Sequence, residues 1–229
     1  MLEPKGFTKI RIDNVGQDLL DSFDHLILDQ YVPDARRYRR FSQFRVYWEG
    51  GEWMLEKLPH RPLVQPKSLN YSTGGVRREF ESMTADPSAV MNQILTEVKL
   101  DTNIDWHLDI NQYRVYGSRL SPGVSVPEGR HRDGHKFVKI VVFRRHNIEG
   151  CELSLYRTLS KTESPFYQGV VEENEAIILD DELMFHDATP VNGIGTEDDP
   201  GHRDYFSTAL NPWSERHYGP EFEKWAEEN

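Results

Sequence analysis

A mainly β fold with flanking helices (α+β) is what this sequence predicts, on two observations. Beyond Ile104 the chain runs in short β-branched and aromatic segments separated by turn residues, the spacing of an all-β sandwich or barrel core. Ahead of that region, two stretches place apolar residues three to four positions apart, as amphipathic helices do. With 229 residues the chain is long enough for one well-buried core, and one domain over 1–229 is expected. It divides into an N-terminal helical and strand extension over about 1–100 and a β core over about 104–212.

The first helix is expected from Gly16 to Leu28, where Leu19, Leu20, Phe23 and Leu26 supply the apolar stripe. Strands and turns follow, including Phe41 to Trp48 and the Gly50-Gly51 turn. The second helix runs from Pro87 to Val98 on Val90, Ile94, Leu95 and Val98. The core strands are Ile110 to Tyr116, Phe137 to Phe143, Glu152 to Tyr156, Ala176 to Leu179 and Tyr205 to Leu210. Asn192 to His202 reads as one exposed loop and Gly219 to Glu228 as a polar C-terminal helix. No internal repeat and no linker rich in Pro, Gly or Ser divides the chain.

A formal charge of −11 argues against nucleic acid as a partner, because phosphate binding needs a basic face. The one basic cluster, Arg36-Arg37-Tyr38-Arg39-Arg40, reads as a solvated or acid-paired face that can also help to hold an anionic ligand. Cys151 is the only cysteine, so there is no intrachain disulfide and no cysteine-rich metal site. Met1-Leu2-Glu3-Pro4-Lys5 lacks the apolar core of a signal peptide, and no stretch approaches the ~20 apolar residues of a membrane span. A cytoplasmic protein with no membrane partner is the expectation.

Chemistry is sought among the nine histidines, where His-x-Asp occurs three times: His107/Asp109, His131/Asp133 and His202/Asp204. On a strand, residues i and i+2 share a face and can offer an imidazole and a carboxylate to one ion. Octahedral Fe(II) then needs a second histidine from elsewhere, leaving three positions open. After 202/204 only His217 remains, which disfavours that pair. The pair at 131/133 follows a Pro/Gly-rich turn and precedes the strand at Phe137; His186 comes 53 residues after Asp133, and Arg203 another 17 residues on. That order is what a double-stranded β-helix (jelly-roll, cupin-like) core needs to face iron with three ligands and grip a dicarboxylate with a guanidinium. His107/Asp109 stays open as an alternative pair, and a surface pair with Asp204 as an alternative role for Arg203.

At these residues the chain resembles the bacterial 2-oxoglutarate/Fe(II) dioxygenases typified by L-isoleucine hydroxylase. The resemblance spans about residues 30–210, through Arg36 to Phe41, Asn70 to Phe80, Asn111-Gln112-Tyr113-Arg114 and His131-Arg132-Asp133. It continues in Gly150-Cys151-Glu152-Leu153, Phe185-His186-Asp187-Ala188-Thr189-Pro190 and His202-Arg203-Asp204. It implies iron ligation by His131, Asp133 and His186, and a salt bridge from Arg203 to the distal carboxylate of 2-oxoglutarate. It also implies O2 as co-substrate, stimulation by ascorbate, and release of succinate and CO2. Two departures stand out: Cys151 occupies the place of the second Gly of a Gly-Gly pair, and His135 adds a competing imidazole beside the ligands.

Members that look most alike act on small free aliphatic L-amino acids, which need a cation for the carboxylate and an acid or carbonyl for the ammonium. Arg114, Arg132 and the Arg36 to Arg40 cluster are the candidates for the first role. Gln112 or Tyr113 is expected to line the pocket, since alternation on their strand leaves open which one faces in. The same iron chemistry on a carrier-bound or modified amino acid, or a non-redox cupin-like metal protein, remains as the alternative.

Overall fold

The computed structural model describes residues 2, 5–32, 36–70, 73–196 and 199–229. Met1, Glu3 and Pro4 of the N-terminal segment, Tyr71 and Ser72 of the block at 70–80, and Glu197 and Asp198 of the expected loop lie outside the described residues.

In chain order the elements are β1 (Phe7–Arg11), α1 (Gln17–Asp21), a 3-10 turn (Ser22–His25), β2 (Ile27–Leu28), β3 (Arg37–Glu49), β4 (Glu52–Lys57) and α2 (Ser88–Val98). They continue with β5 (Trp106–Gly117), β6 (Phe137–His146), β7 (Ile148–Gly150), β8 (Glu152–Tyr156), β9 (Tyr167–Val170) and β10 (Glu175–Asp180). β11 (Phe185–Ala188), β12 (Val191–Gly193), β13 (Gly201–Pro212), a short 3-10 turn and α3 (Pro220–Glu228) complete the chain. The fold is mainly β with few helices, as expected.

Eight strands form one antiparallel sheet in the order β1-β10-β6-β13-β5-β3-β2, with β4 hairpinned onto β3. A three-stranded sheet, β11-β8-β9, and a two-stranded one, β12-β7, complete the β structure. β1 and β3, from the expected N-terminal extension, pair directly with β10 and β5 of the expected core.

Strand alternation on β5 explains the layering. Leu108 and Ile110 join Phe44, Ile94, Leu95 and Phe206 in an apolar layer between the large sheet and the helices. The opposite face carries Asp109, Asn111 and Tyr113 into a cavity. Beyond that cavity Val115, Val142, Leu153, Leu155, Ile177 and Tyr205 pack between the large and small sheets. Each fully buried large apolar side chain contributes roughly 1.5–3 kcal/mol, so the two layers hold the sheet from both sides. α2 follows Pro87 and ends at Lys99, whose φ of +53° breaks the helical path. Its buried Val90, Met91, Ile94, Leu95 and Val98 form the predicted stripe.

Two expectations are corrected. The helix over Gly16 to Leu28 is only Gln17–Asp21 plus a 3-10 turn, because Ile27 and Leu28 are drawn into pairing with Arg39 and Tyr38. The segment from Asn192 to His202 is a loop only in its middle: Val191–Gly193 pairs with Ile148–Gly150, and Gly201 already pairs with Gly117. No helix of the described residues is long and apolar enough to cross a membrane.

Lys139 on β6 is an anomaly in the helix-facing layer. It lies in register with Ile178 and Thr208, is fully buried, and its Nζ has no hydrogen-bond partner. Burial pushes its pKa down to about 7. The unfolded chain therefore binds a proton that the folded chain gives up, and the penalty grows as pH falls from the ordinary lysine range towards 7. Lys139→Met is expected to stabilise the fold by about 2–4 kcal/mol in urea titrations at pH 6, and by visibly less at pH 9. An equal gain at both pH values would show that the ammonium is not the source of the penalty.

Candidate active site

The inner face of the large sheet is read in rows across β13, β5 and β3. Arg203, Val115 and Arg37 are in register, then Tyr205, Tyr113 and Arg39, then Ser207, Asn111 and Phe41, then Ala209, Asp109 and Gln43. This face forms one wall of a cavity that the small sheet and the segments around 63–78 and 125–135 close. The cavity holds about 120 Å³ of free space. Its chemistry lies in three places: a His-Asp-His group, a lone arginine and a cluster of arginines.

His186 is on β11, and His131 meets it in a single antiparallel bridge. The His131 N–H donates to the His186 carbonyl at 3.0 Å, and the His186 N–H returns the bond at 2.9 Å. The segment at 131–133 is thus a bridge and a turn ahead of the strand that starts at Phe137. The side chains nevertheless converge. His131 Nε2 lies 3.3 Å from Asp133 Oδ1, His186 Nε2 lies 3.6 Å from Asp133 Oδ2, and the two rings are 4.3 Å apart. One donor atom from each of the three falls within 4.8 Å of the others, a grouping that could hold a metal ion.

The surroundings orient these atoms. His131 Nδ1 donates to the Gly129 carbonyl at 2.8 Å, which turns Nε2 towards Asp133. His186 Nδ1 is buried without a hydrogen bond, 3.8 Å from Asp181 Oδ1. Asp181 accepts the N–H groups of Asp133, Gly134 and His135, at 3.3, 2.8 and 3.2 Å. That carboxylate holds the turn, which Gly134 enters at a φ of +79° with the Leu69 side chain where a Cβ would be.

Charges in the group follow from these contacts. Burial opposes charge on both His131 and Asp133, but their mutual hydrogen bond and attraction prevail. The imidazole rises to about 9 and the carboxyl falls well below the usual range. Burial pushes His186 down to about 4. It also pushes Asp181 up to about 7, with the Asp133 charge adding to the shift.

The other two His-x-Asp pairs are engaged elsewhere. His107 and Asp109 contact each other at 3.2 Å and share the Gln43 amide. Asp204 pairs with Arg114 at 2.6 Å. His135 lines the same cavity but is engaged by other residues: the Asn211 amide donates to its Nδ1, and its ring lies 4.4 Å from His217.

Arg203 is 4% exposed, lines the cavity and has no ion pair among the described residues. Its guanidinium lies 4.5 Å over the Tyr205 ring with Nε unpartnered, and its neighbour across the sheet is Arg145. A surface pair with Asp204 is therefore not its role.

The three expected substrate contacts lie elsewhere. On β5, Gln112 and Arg114 face away from the cavity: the Gln112 amide donates to Ser22 Oγ, and Arg114 is bonded to Asp204 and Asp24. Parity settles which residue of that strand faces in, and it is Tyr113. Arg132 covers the Phe185 ring at 4.1 Å and donates to the Met184 carbonyl, outside the cavity lining. The cations that do line the cavity besides Arg203 are Arg37, Arg39 and Arg78. Arg37 and Arg39 belong to the basic cluster, and odd-even alternation along β3 is the signal that separates them from Arg40. Cys151 has a φ of +52° directly after Gly150 at +77°, so the departure from a Gly-Gly pair falls where the backbone is left-handed.

A family model described as 2OG-Fe dioxygenase matches residues 20–209, and the chain belongs to that family. The family implies Fe(II), 2-oxoglutarate and O2. No curated protein matches the chain. Among solved structures it is similar to a bsmA homologue from Methylobium petroleophilum PM1, at 24% identity and a TM-score of 0.70, over 85% of this chain and 80% of that one. It is also similar to IDO from Bacillus thuringiensis, at 17% identity and a TM-score of 0.67, over 91% of each chain. A third likeness, at 12% identity and a TM-score of 0.59, is to the Fe(II)/(alpha)ketoglutarate-dependent dioxygenase TqaL, over 90% of this chain and 82% of that one. These likenesses show the fold.

Asp181→Ala removes the acceptor of three N–H groups in one turn. It is expected to cost at least about 2 kcal/mol in denaturant unfolding, since stranded buried donors are expensive. A loss under half a kilocalorie, with the turn unchanged in a crystal structure, would assign the turn to its backbone alone.

Proposed function

We propose that this chain is a 2-oxoglutarate- and Fe(II)-dependent dioxygenase that hydroxylates an aliphatic C–H of a small free L-amino acid, releasing succinate and CO2. One observation carries the reading: a His-Asp-His donor group and a buried arginine without a carboxylate share one cavity. The donor set fits the metal, because two imidazoles, with His131 giving up its extra proton to the ion, and one carboxylate suit Fe(II) and leave positions for other ligands. Bound iron would supply the power to activate O2 against an inert C–H bond, with 2-oxoglutarate as the source of electrons.

The residues of the chain position and shield. His131, Asp133 and His186 hold the iron, and the Gly129 carbonyl keeps the His131 ring turned with Nε2 inward. Arg203 binds the distal carboxylate of 2-oxoglutarate, for which its fixed charge and forked donors are suited. Val138, Ile140 and Leu153 form an apolar wall that keeps water from the reacting carbon.

The test is succinate formation from 2-oxoglutarate with Fe(II) and ascorbate, run against a panel of free L-amino acids with mass spectrometry. One amino acid is expected to gain a single oxygen atom in step with succinate. Iron bound with no succinate under any condition would sink the oxygenase reading. Succinate without a product would move the substrate to a tethered or modified amino acid.

Arg203→Ala is expected to raise the KM for 2-oxoglutarate by about tenfold or more, through loss of a charge-assisted contact. An unchanged KM would remove Arg203 from the co-substrate site. His131→Ala and Asp133→Ala are each expected to abolish turnover, and full activity in either variant would contradict the ligand assignment.

A further inference from the structure

Cys151 stands where the backbone favours glycine. Its φ of +52° lies in the left-handed region, in which a Cβ is strained. Of the six described non-glycine residues with a positive φ, Cys151 alone lines the cavity. Gly150 before it, at +77°, has the Pro190 carbonyl where a Cβ would be, and the Cys151 N–H donates to that same carbonyl at 3.0 Å. The Arg145 guanidinium also holds the turn, donating to the Gly150 carbonyl at 3.0 Å. The backbone is therefore pinned, and with it the direction of the thiol. A side chain kept in such a conformation beside a ligand cavity points to a use for it there.

The thiol is 2% exposed and belongs to the apolar cluster of Val171, Val191 and Tyr205. Ser125 Oγ, on the strap that closes the cavity, lies 3.6 Å from its sulfur. These residues stand at the Arg203 end of the cavity. Arg203 lies over the Tyr205 ring, and Arg145, which binds the Gly150 carbonyl, is its partner in register on β6. Arg203 is itself buried with Nε unpartnered, so a cation near the thiol awaits an anion from the cavity. A ligand that spans from the His-Asp-His group to Arg203 has both ends fixed, and the distance between them sets the length of its chain. An added methylene has to bulge sideways, against the wall that Cys151, Ser125 and Val171 form.

We infer that Cys151 sets the length of the dicarboxylate co-substrate, its side chain filling the space that a chain one methylene longer than 2-oxoglutarate needs. The inference rests on the oxygenase reading above, in which Arg203 takes the distal carboxylate, and gives that site a residue that discriminates by size. One methylene in a closely fitted apolar pocket changes binding by a factor of about 10–200. Glycine at 151 removes the whole side chain and relaxes the backbone at once, so the fold does not ask for the cysteine.

Calorimetry tests it on protein loaded with Mn(II), titrated with 2-oxoglutarate and with 2-oxoadipate, the homologue with one more methylene. Wild type should bind the shorter acid about tenfold more tightly or better. Cys151→Gly should cut that ratio by about tenfold, chiefly through tighter binding of the longer acid, and Cys151→Ser, close in size to the native residue, should keep the ratio within about threefold. The inference is overturned, with the oxygenase reading left standing, if wild type binds both acids alike, if the ratio is unchanged in Cys151→Gly, or if it falls there only because 2-oxoglutarate is lost. A ratio lost as fully in Cys151→Ser as in Cys151→Gly overturns size as the cause. Should Cys151→Gly fail to fold, Cys151→Ala decides: the ratio should fall by at least about threefold, and an unchanged one overturns the inference. Wild type that binds neither acid overturns the oxygenase reading and the inference with it.

Discussion

The two reciprocal hydrogen bonds between the His131 and His186 backbones are the contact on which the site depends. They join β11 of the small sheet to the turn that enters β6 of the large one, so an imidazole on a strand and one on a turn face each other at 4.3 Å. Each bond contributes only about 1 kcal/mol net, so their importance is geometric. They fix the register from which Asp133 can reach both rings. Asp181 then gathers the three N–H groups beyond His131, and the chain leaves the turn into β6 with the donor group already assembled. The protein fixes this group with backbone bonds and one neighbouring carboxylate, and the side chains that do chemistry are not asked to hold the fold.

Electrostatics divide the two faces of the large sheet. On the helix side, Lys139 is a cation without a partner, and it adapts by letting its proton go more easily. On the cavity side the cations are arginines, which cannot adapt in that way. Arg37 and Arg39 share the single carboxylate of Asp29, whereas Arg203 and Arg78 have only an aromatic ring and an amide. A ring face or a neutral amide offsets only part of the desolvation of a full charge. Ligands that carry carboxylates therefore complete the inner face as well as bind to it. The cavity is built with a deficit of negative charge, and what it binds supplies the remainder.

The β core, α2 and the grouping of His131, Asp133 and His186 were legible from the sequence, because period-two and period-3.6 patterns and an ordered set of ligand types survive without coordinates. The position of Arg203 on the last long strand was legible for the same reason. Which side of a strand faces the cavity was not: Gln112 and Tyr113 are equally plausible until pairing with β3 and β13 fixes the parity. Arg114 misled because a buried arginine on a barrel strand suggests a ligand, whereas Asp204 and Asp24 already satisfy it. Asp181 went unassigned although it stands in an acidic run just before His186, since its partners are backbone N–H groups that no side-chain motif reports. The first helix was overextended because the apolar spacing to Leu28 continues after the backbone has turned into an edge strand.

The short C-terminal helix has a part in the order of assembly. Glu223 of α3, 3% exposed, binds both Arg61 and Arg77, and Glu227 takes a further bond from Arg77. These ties cross up to 162 residues of sequence and flank the segment that carries Gln65, Asn70 and Arg78 to the cavity. During synthesis that segment leaves the ribosome long before its clasp does. The wall is fastened only once α3 has emerged, by which time the strands of the metal group are already outside. The clasp therefore forms after the wall it fastens, and a chain made only as far as β13 carries that wall unfastened.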